Sequence, residues 1–435
     1  MSKQHFDLVV VGGGQAGCAA ALAGARGGLS VLLVEAASAL GGSATNCLVN
    51  PFMPYSTTIE ENGEKRRLAL SQGIFSEILG ALIEDGLFCA SAHKDGEGCD
   101  QWGNPVFCEE SLKVILDRKM AEAGVRVLFH ATLCGVRTEG RRIVSASFAT
   151  VGGVLTFTAD AFIDATGDAT LSAFAGVAFR LGRSADSLCQ PMTLCFRVCN
   201  IDVEDFWKHH KEINDLYKKL QAEGKISNPR ENVLVFPTRI AGVLHFNTTR
   251  VVKHNPSDAF SVSEAEAIAR EQVLEMVQFL KENFDCCRNA SLVSTAASIG
   301  VRESRMIEAR HVLTQEELVA GTHFPDGIAA GNYDIDIHSP DGGGTSHYYF
   351  PPGVYYTIPY RSLLPREFDN LVVAGRCIGA THEAQASIRI MPICVCMGEA
   401  AGTAAALGKE LNVALADVDT TILRARLCAN GAFVG

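Results

Sequence analysis

The chain has two tryptophans among its 435 residues, no paired Cys-x-x-Cys spacing and no excess of basic charge. Each absence removes a class of function. With 38 basic against 49 acidic side chains and a net charge of -11, no basic face is evident to displace the counterions of a nucleic acid or an anionic membrane. Fifteen cysteines are scattered rather than paired, and Cys189, Cys195, Cys199, Cys394 and Cys396 form no metal-binding spacing. The expectation is reduced thiols and no metal or iron-sulfur centre. The opening "MSKQHF" carries no apolar leader, which gives an expectation of a cytoplasmic protein. The most apolar late stretch, "ICVCMGEAAGTAAAL", is too short to span a bilayer and contains Glu399, so it reads as a buried helix.

What the chain does have is glycine at structured positions. "FDLVVV" is an apolar run of strand length, "QAGCAAALAGARGG" is helix-forming with Gly27 and Gly28 placed to end it, and "SVLLVE" is a second buried strand. Gly12, Gly14 and Gly17 therefore sit at the strand-to-helix turn of a βαβ unit, the context in which G-x-G-x-x-G marks a dinucleotide site. Gly12 permits the tight turn, Gly14 lets a diphosphate approach the backbone, and Gly17 lets the helix pack close to the sheet. The free amides of the helix start hold the diphosphate. Glu35 ends the second strand, where a carboxylate accepts bonds from both ribose hydroxyls and disfavours a 2'-phosphate.

The segment after Glu35, with Gly41, Gly42, Ser43, Thr45 and Asn46, resembles the one that follows the ribose carboxylate in FAD-dependent oxidoreductases of the glutathione-reductase-like superfamily. In those proteins it lies along the FAD diphosphate and ribityl chain. Only Cys47 follows, so the two-cysteine bridge of a disulfide reductase cannot form. "FIDATGD", with Ala165, Thr166, Gly167 and Asp168, resembles the second FAD contact of the same superfamily. A third block, "NLVVAGRCIGATHEAQASIRIMPICVCMGEAAG", resembles the carboxy-terminal motif of the FAD-dependent oxidoreductase family, called FAD-oxidored.

That resemblance covers nearly the whole chain and implies a noncovalent FAD, since no covalent histidyl attachment segment is recognisable. It assigns cofactor contacts to Gly12, Gly14, Gln15, Ala16, Gly17, Glu35, Ala36, Gly41, Gly42, Ser43, Thr45, Asn46, Ala165, Thr166, Gly167, Asp168, Gly375, Arg376 and Ile390. It also places the polar loop Thr381 to Met391 beside the isoalloxazine ring, followed by a helix holding Pro392 in its first turn. Such a helix start stabilises negative charge on the reduced ring.

The implied fold is α/β. A Rossmann-like FAD-binding domain, parallel sheet with β-meander, is built discontinuously from residues 1-50, 110-175 and 355-435. A mixed α+β substrate or cap region takes 51-109 and 176-354. In the latter, "VEDFWKHHKEINDLYKKLQAEGK" and "EAEAIAREQVLEMVQFLKENF" read as amphipathic helices and "VLVFPTRIAGVLHFNTTRVV" as strands. "SIGVRESRMIEARHVLT" reads as a strand entering a helix that carries Arg302 and Arg305.

Proton transfer at the ring calls for titratable groups on nearby loops, and the candidates are His382, Arg389, Arg361, Tyr356 and His338, with His347 and Tyr355 beside them. Glu383 is a candidate either to orient His382 or to bond the loop backbone. A carboxylate-bearing substrate would need a guanidinium clamp, for which Arg302, Arg305, Arg361 and Arg389 are available. The expectation is a flavoenzyme passing a hydride between flavin N5 and a C-C or C-OH centre of a small polar substrate. Two alternatives stand beside it: a flavin-dependent isomerase, and a flavin-containing electron-transfer subunit of a larger redox complex. No second strand-linked G-x-G-x-x-G is present, so electrons come from a substrate, an electron carrier or a partner protein. Self-association is left open.

Overall fold

The computed structural model describes residues 4-61, 63-84 and 106-435; the part of the expected cap region between 85 and 105 lies outside them. Seven strands form one sheet: β1 (Gln4–Val11), β2 (Val31–Val34), β3 (Arg126–Leu128), β4 (Thr132–Glu139), β5 (Arg142–Thr150), β6 (Gly153–Asp164) and β7 (Leu371–Val373). β1 lies between β2 and β6, all three parallel, with β3 added parallel to β2 and β7 parallel to β6. β4, β5 and the first half of β6 form an antiparallel meander. The strand "RVL" of β3 thus joins the parallel sheet, although its sequence reads as the start of the meander. β6 serves both parts: Gly153 to Thr158 pairs with β5, and Phe157 to Asp164 pairs with β1. The expected α/β fold, a parallel sheet with a β-meander, is present.

Two helices cover one side of the site. α1 (Gln15–Arg26) follows β1, and α2 (Met391–Leu411) follows β7 with Pro392 in its first turn. They cross at bare backbone: a Cβ on Gly398 would meet the carbonyl of Ala16 at 2.0 Å, and one on Gly402 that of Ala20 at 2.1 Å. Small residues on both helices therefore set the starts of α1 and α2 side by side. α2 is the one described helix long and apolar enough to cross a membrane, and Pro392 to Gly408 of it are buried among protein.

A second unit has a four-stranded antiparallel sheet ordered Val235–Pro237, Leu244–Phe246, Phe196–Cys199, Ser291–Thr295. Helices Val203–Ala222 and Ala259–Asn283 cover it with Phe206, Ile213, Tyr217, Met276 and Phe279. Both expected helices and both expected strands are there. The second hydrophobic cluster takes Leu48 and residues from Met192 to Ile299, while Phe52, Ile74, Phe107, Ile307, Ile328 and Ile335 pack with the large sheet.

Candidate functional site

The glycine turn between β1 and α1 is made by steric exclusion. Gly12 has φ 99, and a Cβ there would lie 2.5 Å from the Ala165 carbonyl oxygen; one on Gly17 would lie 1.8 Å from that of Gly12. No side chain fits at either position. Glu35 braces the turn with both carboxylate oxygens, one accepting from Gly13 N at 2.6 Å and the other from Ala37 N at 2.8 Å. Each oxygen retains a lone pair for a ribose hydroxyl. Ala36 beside it is exposed. Gly41 and Gly42 run against the turn: Gly41 N donates to Gly13 O at 2.8 Å, and a Cβ on Gly42 would meet Gly14 Cα at 2.7 Å.

The hydroxyl expected along the ribityl chain at Thr45 is buried and donates to Leu40 O at 2.6 Å, so it fixes its own loop. Ser43 and Asn46 are half-buried, with Asn46 Nδ2 3.4 Å from Ala39 O. Ala165 N donates to Val11 O at 2.8 Å, tying the second motif to the end of β1. Beneath it, Asp164 is fully buried and accepts from Thr166 and Ser172 through both backbone and side chain. Burial pushes its carboxyl up, against those hydrogen bonds.

Arg376 arches over Gly167, and its Nη2 donates to Asp168 Oδ1 at 2.8 Å; Ser304 Oγ donates to the same oxygen at 2.6 Å. Burial opposes the Arg376 charge, and the Asp168 carboxylate more than offsets it. Gly375, at φ 102, lets this strand end close on Ala16. Ile390 is the buried residue before α2.

This surface suits a dinucleotide on two counts. It is a strip of side-chain-free backbone at the start of α1. Beside it, Gln15, 5% exposed, has both polar side-chain atoms without a hydrogen-bond partner. A buried amide left so is costly without a ligand.

The stretch read as a polar loop, Thr381 to Met391, contains a helix, His382–Ile388, capped by Thr381 Oγ1 accepting from Ala384 N. His382 is its first residue, 7% exposed, with Nδ1 2.7 Å from Glu303 Oε1. Glu303, and not the candidate Glu383, is the orienter. Its other oxygen accepts from Gln190 N at 2.8 Å, and it has no exposed surface. The carboxylate can only accept, so Nδ1 carries the proton and Nε2 has no hydrogen-bond partner among the described residues.

"SIGVRESR" forms no helix. Arg302 to Ser304 are irregular and Arg305–Ile307 is a strand paired with Phe179–Leu181. Arg302 Nη1 donates to Pro191 O and Thr193 Oγ1, while Arg305 donates to Asp168 O and lies over Phe179.

Arg389 closes the His382 helix and reaches Asp336 Oδ2 at 3.2 Å, an oxygen that also accepts from Tyr333 OH at 2.8 Å. His338 Nε2 lies 3.3 Å from it, and its Nδ1 lies 2.8 Å from Arg250 Nη2. Arg250 can only donate, so Nδ1 is the acceptor and His338 is neutral; burial holds its pKa well below the ordinary value. Tyr356 is fully buried with its hydroxyl 2.6 Å from Ser387 Oγ, and burial pushes its ionisation up. Arg361 is 44% exposed and pairs with Asp326 and the Phe324 ring, not with the group around His382.

The structure thus gathers His382, Arg389, His338 and Tyr356 into linked networks and leaves Arg361 outside. Glu303, Gln190, Gln385, Arg250 and Asp336 are further members, and nothing in their sequence spacing announces them. Two surface clefts of about 330 and 610 Å³, beside Asp202 and Glu275, contain none of these residues.

A braced glycine turn, paired helix starts and a capped histidine-bearing helix define a dinucleotide-dependent redox site on an α/β scaffold. The chain belongs to the FAD dependent oxidoreductase family, which matches residues 7–427. FAD is therefore its cofactor, and it is an oxidoreductase. A stretch of 84 residues is 34% identical to a 3-oxosteroid 1-dehydrogenase of Mycobacterium tuberculosis, over 19% of this chain and 15% of that protein. A stretch of 65 residues is 40% identical to the one of Mycolicibacterium smegmatis, over 15% of this chain and 11% of that protein. Each alignment therefore spans a small part of those relatives. Among solved structures, a geranylgeranyl bacteriochlorophyll reductase-like protein from Thermoplasma acidophilum is similar at 14% identity and TM-score 0.47, over 100% of this chain and 85% of that one. A flavoprotein/dehydrogenase from Cytophaga hutchinsonii is similar at 11% identity and TM-score 0.45, over 98% and 86%.

Proposed function

We propose that this oxidoreductase passes a hydride between flavin N5 and a C-C or C-OH carbon of a small polar substrate, with His382 moving the accompanying proton. The observation that carries this reading is the buried His382–Glu303 pair, at 2.7 Å, on the segment that leads into α2. A carboxylate so placed fixes the tautomer and steadies the charge that imidazole gains when Nε2 takes a proton. His338 holds its position as a neutral bridge between Arg250 and Asp336.

Gly12, Gly14, Gln15, Gly17, Gly41 and Gly42 hold the cofactor diphosphate and Glu35 the adenosine ribose, noncovalently. FAD bound there supplies a two-electron acceptor and donor. The substrate is a small molecule, the electrons leave or arrive through that substrate, a carrier or a partner protein, and the enzyme acts in the cytoplasm.

The test is an anaerobic screen of the yellow protein. Compounds that bleach the flavin, with a matching oxidised product, support the reading, and His382→Asn should slow bleaching while retaining the cofactor. Interconversion of substrate isomers without net bleaching would establish an isomerase instead. Bleaching only through a co-purifying redox subunit would establish a relay.

A further inference from the structure

Next to the His382–Glu303 pair is an unbalanced set of charges, with Arg230 and Arg250 buried and Arg302 and Arg389 half-buried. Arg230, Arg250, Arg302 and Arg389 lie within electrostatic reach of one another, with two carboxylates, Glu231 and Asp336, in salt-bridge range of them. Arg250 is 3.0 Å from Glu231 and is saturated by the Gly342 and Gly344 carbonyls, Thr345 and His338. Arg230 shares Glu231 at 4.0 Å. Arg389 has Asp336, and its buried Nε has no acceptor.

Arg302 has no carboxylate within 4 Å among the described residues. Its hydrogen bonds end on the neutral Pro191 carbonyl and the Thr193 hydroxyl. Nearby, His338 is neutral, and Asp334 is taken by His347 at 2.5 Å. Burial and then the three other arginines push the Arg302 pKa down to about 9, as expected for a guanidinium short of counter-charge.

A half-buried guanidinium short of counter-charge favours an anionic partner. The position of the cluster says what that partner is for. Gln385, on the helix that starts with His382, donates to the Arg302 carbonyl at 2.9 Å, and the next residue, Glu303, holds His382 itself. The unmatched charge and the proton-handling imidazole are thus set by one backbone step.

We infer that the substrate is a small carboxylate anion, held by Arg302 and Arg389 with its reacting carbon presented to His382. This rests on the hydride-transfer reading and adds the substrate class to it. Both guanidinium groups have the planar fork that matches a carboxylate, while Asp336 in direct contact with Arg389 disfavours a dianionic phosphate.

The test uses FAD-loaded enzyme titrated with oxalate, malonate, succinate and glutarate, the matching neutral diamides, and inorganic phosphate, following the visible flavin bands. At least one carboxylate should give a saturable band shift, the diamides none, and phosphate a weaker one. Arg302→Gln should weaken that binding by about tenfold or more and Arg302→Lys by less, with FAD stoichiometry unchanged. Should Arg302→Gln fail to fold, Arg389→Gln carries the same expectation. Equal responses to acids and diamides, phosphate binding without carboxylate binding, or an unchanged Kd in the folded variant would each overturn the inference. An uncharged compound that bleaches the flavin while no carboxylate shifts it would leave hydride transfer standing and remove the anion. Carboxylate binding with no compound bleaching the flavin would do the reverse.

Discussion

Between Gly12 and Gly17 the surface is bare backbone, whereas around Arg302 the backbone only carries side chains to a meeting point. In the first region a Cβ has no room at Gly12 or Gly17, and the braces are amides bonded to one carboxylate, Glu35, some twenty positions on. In the second, Arg250, Arg302 and the strand that carries both Asp336 and His338 come from three separate segments, and the arginines repel one another while Asp336 answers them. Backbone-built recognition tolerates no added atom. Side-chain-built recognition tolerates change in the scaffold but depends on every charge being answered. The two regions should therefore fail differently when altered.

The largest effect is expected from Gly17→Val, which drives a side chain into the Gly12 carbonyl. Destabilisation of about 4 kcal/mol or more, the range of severe core errors, should appear as insoluble or FAD-free protein by absorbance and denaturant titration. A soluble, yellow Gly17→Val would break the contrast. Next, His382→Asn should lower turnover by about 10²- to 10⁴-fold with FAD retained, the usual span for a lost acid-base group. Glu303→Gln should give a smaller loss together with a moved pH profile. An unmoved profile would show that Glu303 is only structural.

A fourth change probes the buried carboxyl group in α2. Glu399 is buried, accepts from Ile74 N at 3.0 Å, and burial raises its pKa to about 7. The folded protein therefore prefers the neutral acid, and the stability this contributes, full at acid pH, is lost as pH rises through about 7. Glu399→Gln should raise Tm relative to wild type at roughly pH 8, by an amount on the order of 1 kcal/mol, and give no gain at roughly pH 5. A gain equal at both would sink the account. The smallest effect belongs to Arg361→Gln, whose exposed pairing with Asp326 is worth less than about 0.5 kcal/mol and lies outside the site. Reduced flavin-bleaching rates in that variant would redraw the boundary of the second region.

The glycine turn was legible because each of its requirements is local: a strand, three glycines, a small-residue helix and a carboxylate at the next strand end. The helix start at Met391 was legible for the same reason, through Pro392 and the alanine-rich run behind it. His382 could be picked out by the resemblance of its loop, yet its partner could not, because Glu303 lies 79 positions away and Glu383 is its neighbour in the chain. Reading Arg302 and Arg305 onto a helix failed because pairing with Phe179–Leu181 outweighed local propensity. Thr45 adds a contact that its spacing does not announce: its hydroxyl donates to Leu40 O and fixes its own loop.

The sequence by itself determined the parallel sheet and the glycine turn, since periodicity and glycine sterics act over a few residues and need no distant partner; the cofactor came from family membership. Only the tertiary structure decided which ionisable side chains meet. Charge pairing depends on separation in space, and Arg302, Arg389, Glu303 and His382 acquire that separation only when the second unit packs against the large sheet.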